Sequence, residues 1–289
     1  MTITYQNRLP DPSTAIGNAG QVGGTVGPGF ASMELTSSSP VMQTRTNSGR
    51  LVSRSVVGHK WSVAINYNPM TREEFEPIQN FLLNTRGGLK AFFISLPQNN
   101  VPQLAAFATY AAANLTNILT NTTAGKFIPG NSYKINVVSG TNFVSAGAEN
   151  SSVGTVFTAT GSGANNGTGR VIATAGSTSI LVDGFGTTAG RDPRPGDMFT
   201  ISDASDTSHL KMYKVTQVET NAVYNSTQPA TAERIIHFMP GLQKQTLNNS
   251  VLNFHNPLMR VVLASDVQQY DLNTNNLYSF SLKLEEAQS

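Results

Sequence analysis

The side chains with the most chemistry to offer are four histidines, His59, His209, His237 and His255. No two stand at the short spacing that puts a metal-ligand pair on one element, and none begins an H-E-x-x-H pattern. Isolated in sequence, each reads as an ordinary strand or loop residue. Asp203 and Asp206 begin like a calcium loop, but the segment lacks that loop's central glycine and closing glutamate and reads as a turn. The glycines of 161–169 superficially resemble a phosphate cradle, which needs a helix N-terminus behind it. Behind them stands Arg170–Ala173, a strand-like run. Gly125-Lys126 lacks the spacing of a nucleotide-binding loop, and no Gly-x-Ser-x-Gly elbow occurs. The adjacent carboxylates Glu73-Glu74 and Glu285-Glu286 read as charge decoration, the first pair suited to a helix N-terminus. No catalytic residue, metal ligand or cofactor site is expected. Asn-x-Ser/Thr sequons such as Asn114–Thr116 read as by-products of composition.

The elements that would have to position any site are strands. Charged residues make up only 12% of the 289 residues, about half the usual share, and short polar residues take their place. With 25 Gly and 14 Pro, this describes strands joined by turns rather than a helix-rich domain. At 39% hydrophobic the chain can build a core. It has no cysteine, which removes disulfides, thiol catalysis and cysteine-bound zinc together and fits synthesis in a reducing cytoplasm. Met1–Pro10 has no apolar signal region, and no apolar run approaches the ~20 residues of a membrane helix, so no membrane partner is expected. A net charge of +2 is too weak to argue for specific nucleic-acid binding.

Charge is unevenly spread. No acid occurs between Leu35 and Arg72, a stretch that holds Arg45, Arg50, Arg54 and Lys60. These four are the candidate subunit-facing or partner-facing residues. No acid occurs between Pro77 and Ala148 either.

The first forty residues read as an extended glycine-rich arm. Lys60–Tyr67 alternates as a half-buried strand with Trp61, Val63, Ile65 and Tyr67 on one face. Thr71–Arg86 is the convincing helix. Thr71 and Glu74 have capping-box spacing, Met70 and Phe75 staple spacing, and Phe75, Ile78, Phe81 and Leu82 form one stripe. Pro77 falls beyond the first turn, and Gly87-Gly88 ends the helix. Leu89–Leu96 is the next strand, and Ala105–Ala113 is ambiguous between helix and strand. Trp61, Ile65, Phe75, Ile78, Phe81, Phe93 and Phe280 are expected to share a core. Short strand signals at Tyr133–Val138, Thr155–Ala159, Arg170–Ala173 and Ser179–Val182, almost without charge, suggest an inserted all-β module over 110–190. Later strands are Met198–Ile201, Met212–Val218, Arg234–Phe238, Leu258–Ala264 and Leu277–Leu284. The fold class is mainly β: an antiparallel β-sandwich or split β-barrel, with a body of 41–109 and 191–289, one packed α-helix and the small β module inserted.

The stretch His59–Pro97 carries a resemblance. A strand with Trp61, then Asn-Pro-Met-Thr-Arg-Glu-Glu-Phe-Glu-Pro-Ile (68–78), a helix ending Arg86-Gly87-Gly88 and a strand ending Leu96-Pro97 resemble the core of tailed-bacteriophage tail proteins of the distal-tail and tail-tip (baseplate) type. The basic stretch 49–60 and the Pro195-Gly196-Asp197 turn fit. Tyr133-Lys-Ile, Gly140-Thr-Asn-Phe143 and Val153–Gly161 are similar to a small β repeat of marine-phage virion proteins. The resemblance implies a structural, non-enzymatic subunit of the virion tail. It implies a homo-oligomeric, hexameric ring, contacts with tube, hub or fibre proteins, and at most passive contact with a DNA channel. The rival reading is a host-surface carbohydrate-binding protein, which needs exposed aromatic platforms. A tail depolymerase needs two positioned carboxylates, and the module holds only Glu149 and, at its edge, Asp183.

Overall fold

The computed structural model describes residues 7–12, 27–55, 58–164, 167–186, 191–203, 209–220 and 232–287. The chain divides into two compact units, one from the segment up to Ser95 together with Met259 onward, the other from Leu96–Leu258. In chain order the first stretch gives β1 (Phe30–Ser38), β2 (Val41–Arg45), β3 (Leu51–Ser55), β4 (Lys60–Tyr67), α1 (Arg72–Thr85) and β5 (Phe92–Ser95). The next gives α2 (Ala105–Ala113), β6 (Leu119–Thr120), β7 (Ser132–Val137), β8 (Val156–Thr158), β9 (Arg170–Ala173) and β10 (Ser179–Asp183). Then come β11 (Met198–Ser202), β12 (Met212–Thr220), β13 (Arg234–Met239) and β14 (Val251–Asn253). The last are β15 (Leu258–Leu263), β16 (Tyr270–Leu272) and β17 (Tyr278–Glu286).

In the first unit the sheet runs β1-β4-β17-β15-β5, with β16 also paired to β17. Strand β4 forms because its apolar residues alternate, and Trp61, Val63, Ile65 and Tyr67 are all buried. Ile65 sits between Met33 of β1 and Leu282 of β17, and Val63 between Leu35 and Leu284. Helix α1 begins as its sequence dictates. The Thr71 N–H donates to Glu74 Oε2 at 2.9 Å, and Phe75, Ile78 and Leu82 are buried. Phe75 stacks on Tyr278 at 4.5 Å and meets Phe280 edge-on at 5.7 Å, which fixes the helix on the sheet. Pro77 lies inside the helix and is buried. The helix stops at Arg86, which takes the left-handed conformation (φ 53°), before Gly87 (φ 64°).

Two expectations change here. Phe92 is fully buried and touches Phe81 edge-on, while Phe93 and Phe81 are only half-buried. The strand's period of two turns Phe92 and Ile94 inward together, which excludes Phe93 from the same face. The segment expected as an extended arm contributes β1, a nine-residue sheet strand. Residues 7–9 also pair alongside β5: Leu9 N–H donates to the Phe93 carbonyl and Phe93 N–H to the Asn7 carbonyl, both at 2.8 Å. Asp11 is buried there, held by Arg8 at 2.8 Å and by the Ser95 hydroxyl at 2.6 Å. Gly27 N–H donates to the Asp11 carbonyl, and a Cβ at Gly27 would stand 2.5 Å from the Asp11 nitrogen. Most of the glycine-rich run, 13–26, lies outside the described residues.

The second unit is a closed barrel, β10-β13-β12-β11-β14-β6, with a three-stranded sheet β8-β7-β9. Phe199 packs against Tyr213, Phe238 and Phe254 at 5.1–5.6 Å. Phe127, Tyr133, Phe143 and Phe157 pack together in the same apolar cluster. Ala105–Ala113 is a second helix, because Phe107 and Ala111, four residues apart, both point into that cluster.

The compositional boundary at 110–190 is not the boundary of the second unit. Strands β6 and β10 lie within 110–190, yet they are staves of the barrel that β11 to β14 complete. Low charge does not mark a division in the core: apolar residues of 110–190 and of β11 to β14 share one cluster. The turn at the end of β10 requires a glycine: Gly184 has φ +88°, and a Cβ there would lie 1.8 Å from the Asn117 carbonyl oxygen.

Candidate assembly surface

Three of the four basic residues singled out in sequence fall on one device. Strands β2 and β3 form a two-stranded sheet that pairs with no other strand among the described residues. The chain turns at Thr46–Gly49, where Gly49 takes φ +80° and donates to the Thr46 carbonyl at 2.8 Å. Register places Met42 opposite Arg54, Thr44 opposite Val52, and Arg45 opposite Leu51. Directly opposed residues share a face. One face therefore carries Met42, Arg54 and Val52, the other Val41, Arg45 and Leu51. Arg50 is in the turn, and Lys60, also exposed, starts β4 at the hairpin's root.

The aliphatic residues of the hairpin are open to solvent: Met42 is 66% exposed and Leu51 53%. A lone two-stranded hairpin is marginal in water, and each of its strands presents an unpaired outer edge. With apolar residues on both faces and no acid, it has the character of a surface that a partner covers.

The remaining candidates are scattered. His59 Nε2 lies 2.9 Å from the Ser37 hydroxyl, and His209 Nε2 lies 2.7 Å from the Tyr213 hydroxyl in the barrel interior. His237 meets Glu219 at 2.6 Å, a pairing across β13 and β12 that no sequence spacing could disclose. His255 is half-buried next to β14. Among the described residues no three His, Asp or Glu side chains gather as a metal site. Asp203 is a buried structural acceptor for the Ser250 hydroxyl and the Leu247 N–H, while Asp206 lies outside the described residues. Asp197, in the Pro195-Gly196-Asp197 turn, accepts from the Gln103 and Arg194 N–H groups. Glu286 is not decoration: it is buried and accepts the Trp61 N–H at 3.3 Å.

One carboxylate pair, Asp183 and Glu233, escapes sequence reasoning because its members stand far apart in the chain. The Asn121 amide donates to both, at 3.3 and 3.4 Å, and Lys126 pairs with Glu233 at 2.7 Å. Burial, and then the Glu233 charge, push the Asp183 carboxyl above the ordinary carboxylate range. The lysine on one carboxylate and the shared amide describe a closed polar network.

The aromatics singled out in sequence for a sugar platform are inside. Trp61 is buried in the first unit, and Tyr133, Phe143 and Phe157 are buried in the second. A surface cavity of about 410 Å³ beside β7 and β9 is lined by Thr123, Ser139, Thr168 and Arg170 among others, with no aromatic ring.

No curated protein matches the chain. Residues 9–99 match the family model described as distal tail protein pb9, A domain, N-terminal. The match opens at the segment paired with β5, spans the β2–β3 hairpin and α1, and closes just past β5. It contains the whole of the His59–Pro97 stretch and ends before most of the second unit. Over residues 9–99 the chain is thus similar to a phage distal tail protein, which supports a structural role in a phage tail.

Proposed function

We propose that this chain is a structural, non-catalytic subunit of a bacteriophage tail that assembles with itself into a ring at the distal tail or baseplate and with neighbouring tail proteins. The observation that carries this reading is the family match over a segment that contains an unsupported, acid-free hairpin. Arg45, Arg50, Arg54 and Lys60 face the neighbouring subunit or an acidic partner ring, and contact with a DNA channel is passive. The terminal strand β1 supports this, since its only charge is Glu34 and little on it repels edge pairing. A head-to-tail contact that closes by rotation makes a ring, and six copies is the number the resemblance implies. The protein is made in the host cytoplasm and resides in the virion tail. Imaging of intact particles tests this: the expected result is a closed ring on the tail axis. Single copies, or trimeric fibres off the axis, overturn it.

A further inference from the structure

The first unit has a second open apolar surface, at the other end of β4 from the hairpin. Strand β4 meets β1 from the Lys60–Ser38 pair at the hairpin root to Tyr67–Phe30. Beyond Tyr67, Met70 pairs with Tyr278, where α1 begins. There Phe75, Tyr270 and Tyr278 pack together, with ring centroids 4.5–5.7 Å apart and Phe75 stacked on Tyr278. A cavity of about 290 Å³ opens between α1 and β16, lined by Phe75, Leu83, Arg86, Asp266, Tyr270 and Phe280 among others. Around it Leu83 is 59% exposed, Val267 77% and Leu272 54%. Few sites on a single soluble chain leave so many large apolar side chains beside a cavity.

Two features say what covers this groove. The first is charge. The hairpin is basic and acid-free. The groove has four carboxylates about it, Glu73 and Glu74 in the first turn of α1 and the exposed Asp266 and Asp271, against Arg86 in its lining and Arg72, which pairs with Glu76. The helix N-terminus holds Glu73 and Glu74 at the end of the groove near Tyr278, while Asp266 stands at the other end of α1, where it accepts the Gly88 N–H. The second is reach. From Lys60 to Tyr67 is seven residue steps, ~23 Å of strand. The hairpin leaves the sheet at the Lys60 end and is five residues per strand. The hairpin's root is therefore separated from the groove by the length of β4, and both surfaces stand open in the same molecule.

We propose that the β2–β3 hairpin of one copy seats in the α1–β16 groove of a second copy. Met42 enters the cavity, which suits a long unbranched side chain. Arg54, on Met42's face, meets the carboxylates at the groove's end. The contact is heterologous, since two different surfaces of one chain meet, so it propagates head to tail and either closes as a ring or extends as a filament. This inference rests on the proposal that the hairpin mediates self-assembly, and it identifies the surface that receives it.

The native chain has no cysteine, so introduced thiols report without interference. The full-length chain carrying Met42→Cys and Leu83→Cys is oxidised and run on a non-reducing gel, beside a control carrying Met42→Cys and Val144→Cys. All three positions are exposed, so the variants keep the native melting transition. The expected result is covalent multimers from the first pair, about tenfold over the control. Mixing the two single variants, Met42→Cys and Leu83→Cys, gives their heterodimer as the main product. Cross-linking no greater than the control overturns the groove assignment. So does capture of a different tail protein at Leu83→Cys in assembled particles. Met42→Asp separates the two readings: if it abolishes self-association while the first pair does not cross-link, the groove is wrong and the hairpin still mediates assembly. If it leaves self-association intact, the hairpin reading fails and the groove assignment with it.

Discussion

Asp183 is a carboxylate whose surroundings alter its chemistry. Its carboxyl is half-buried, shares the Asn121 amide with Glu233, and is raised by burial and by that neighbouring charge, while Asn121 and Lys126 act in the opposite direction. A raised folded value means that the folded chain holds this proton at a pH where the unfolded chain, titrating near the ordinary ~3.9, has released it. The Asp183 contribution to stability is therefore complete below ~3.9 and is lost as pH rises through the folded value. Asp183→Asn keeps an acceptor for the Asn121 amide and removes the buried charge. Its melting temperature should fall less than the native chain's as pH is raised from 4 to 7, measured by circular dichroism in matched salt. A variant less stable at pH 7 with an unchanged pH slope would show that the ionised carboxylate stabilises the barrel.

At the scale of elements, phase decides what a side chain contributes. Strand β5 turns Phe92 and Ile94 into the sheet core and leaves Phe93 half-buried on the opposite face. Phe92→Ala should cost ~3–5 kcal/mol in denaturant melts and Phe93→Ala clearly less; equal losses would mean the strand is out of register with this reading. The elements that were legible in sequence are those whose pattern is self-sufficient. The alternation of β4 and β17 and the capped, stapled start of α1 announce themselves within a dozen residues. Strand β6 is two residues long, and β14 and β16 three each, too short for any period. They are strands because the barrel or β17 supplies their partners. The β2–β3 hairpin was legible only as a basic, acid-free stretch: its aliphatic residues are exposed on both faces, so no buried face imprints an alternation. Helix α2, rich in alanine, is a helix through Phe107 and Ala111. The Asp183–Glu233 pair was out of reach because tertiary structure alone brings β10 beside the segment that leads into β13.

At the scale of the whole molecule, composition and topology disagree about where one folding unit ends. The low-charge stretch 110–190 looks separable, but it contains β6 and β10, which pair with each other, while β6 also pairs with β14 and β10 with β13. Its apolar residues and those of β11 to β14 belong to a single cluster. Deleting 110–190 would expose the edges of β13 and β14 and remove Phe127, Tyr133, Phe143 and Phe157 from that cluster at once. A barrel has no edges only while every stave is present. The first unit depends on none of this, since its sheet is completed by β15 and β17 from beyond the insertion. Two deletions should therefore behave oppositely. Replacing 97–257 with a flexible glycine-serine linker should leave a cooperative melt and protected β4 and β17 amides in hydrogen exchange. Deleting 110–190 should retain that transition but abolish the second unit's protection, with β11 to β14 exchanging freely. If the shorter deletion keeps β12 and β13 protected, the barrel does not need its β6 and β10 staves, and 110–190 is the module that composition suggests.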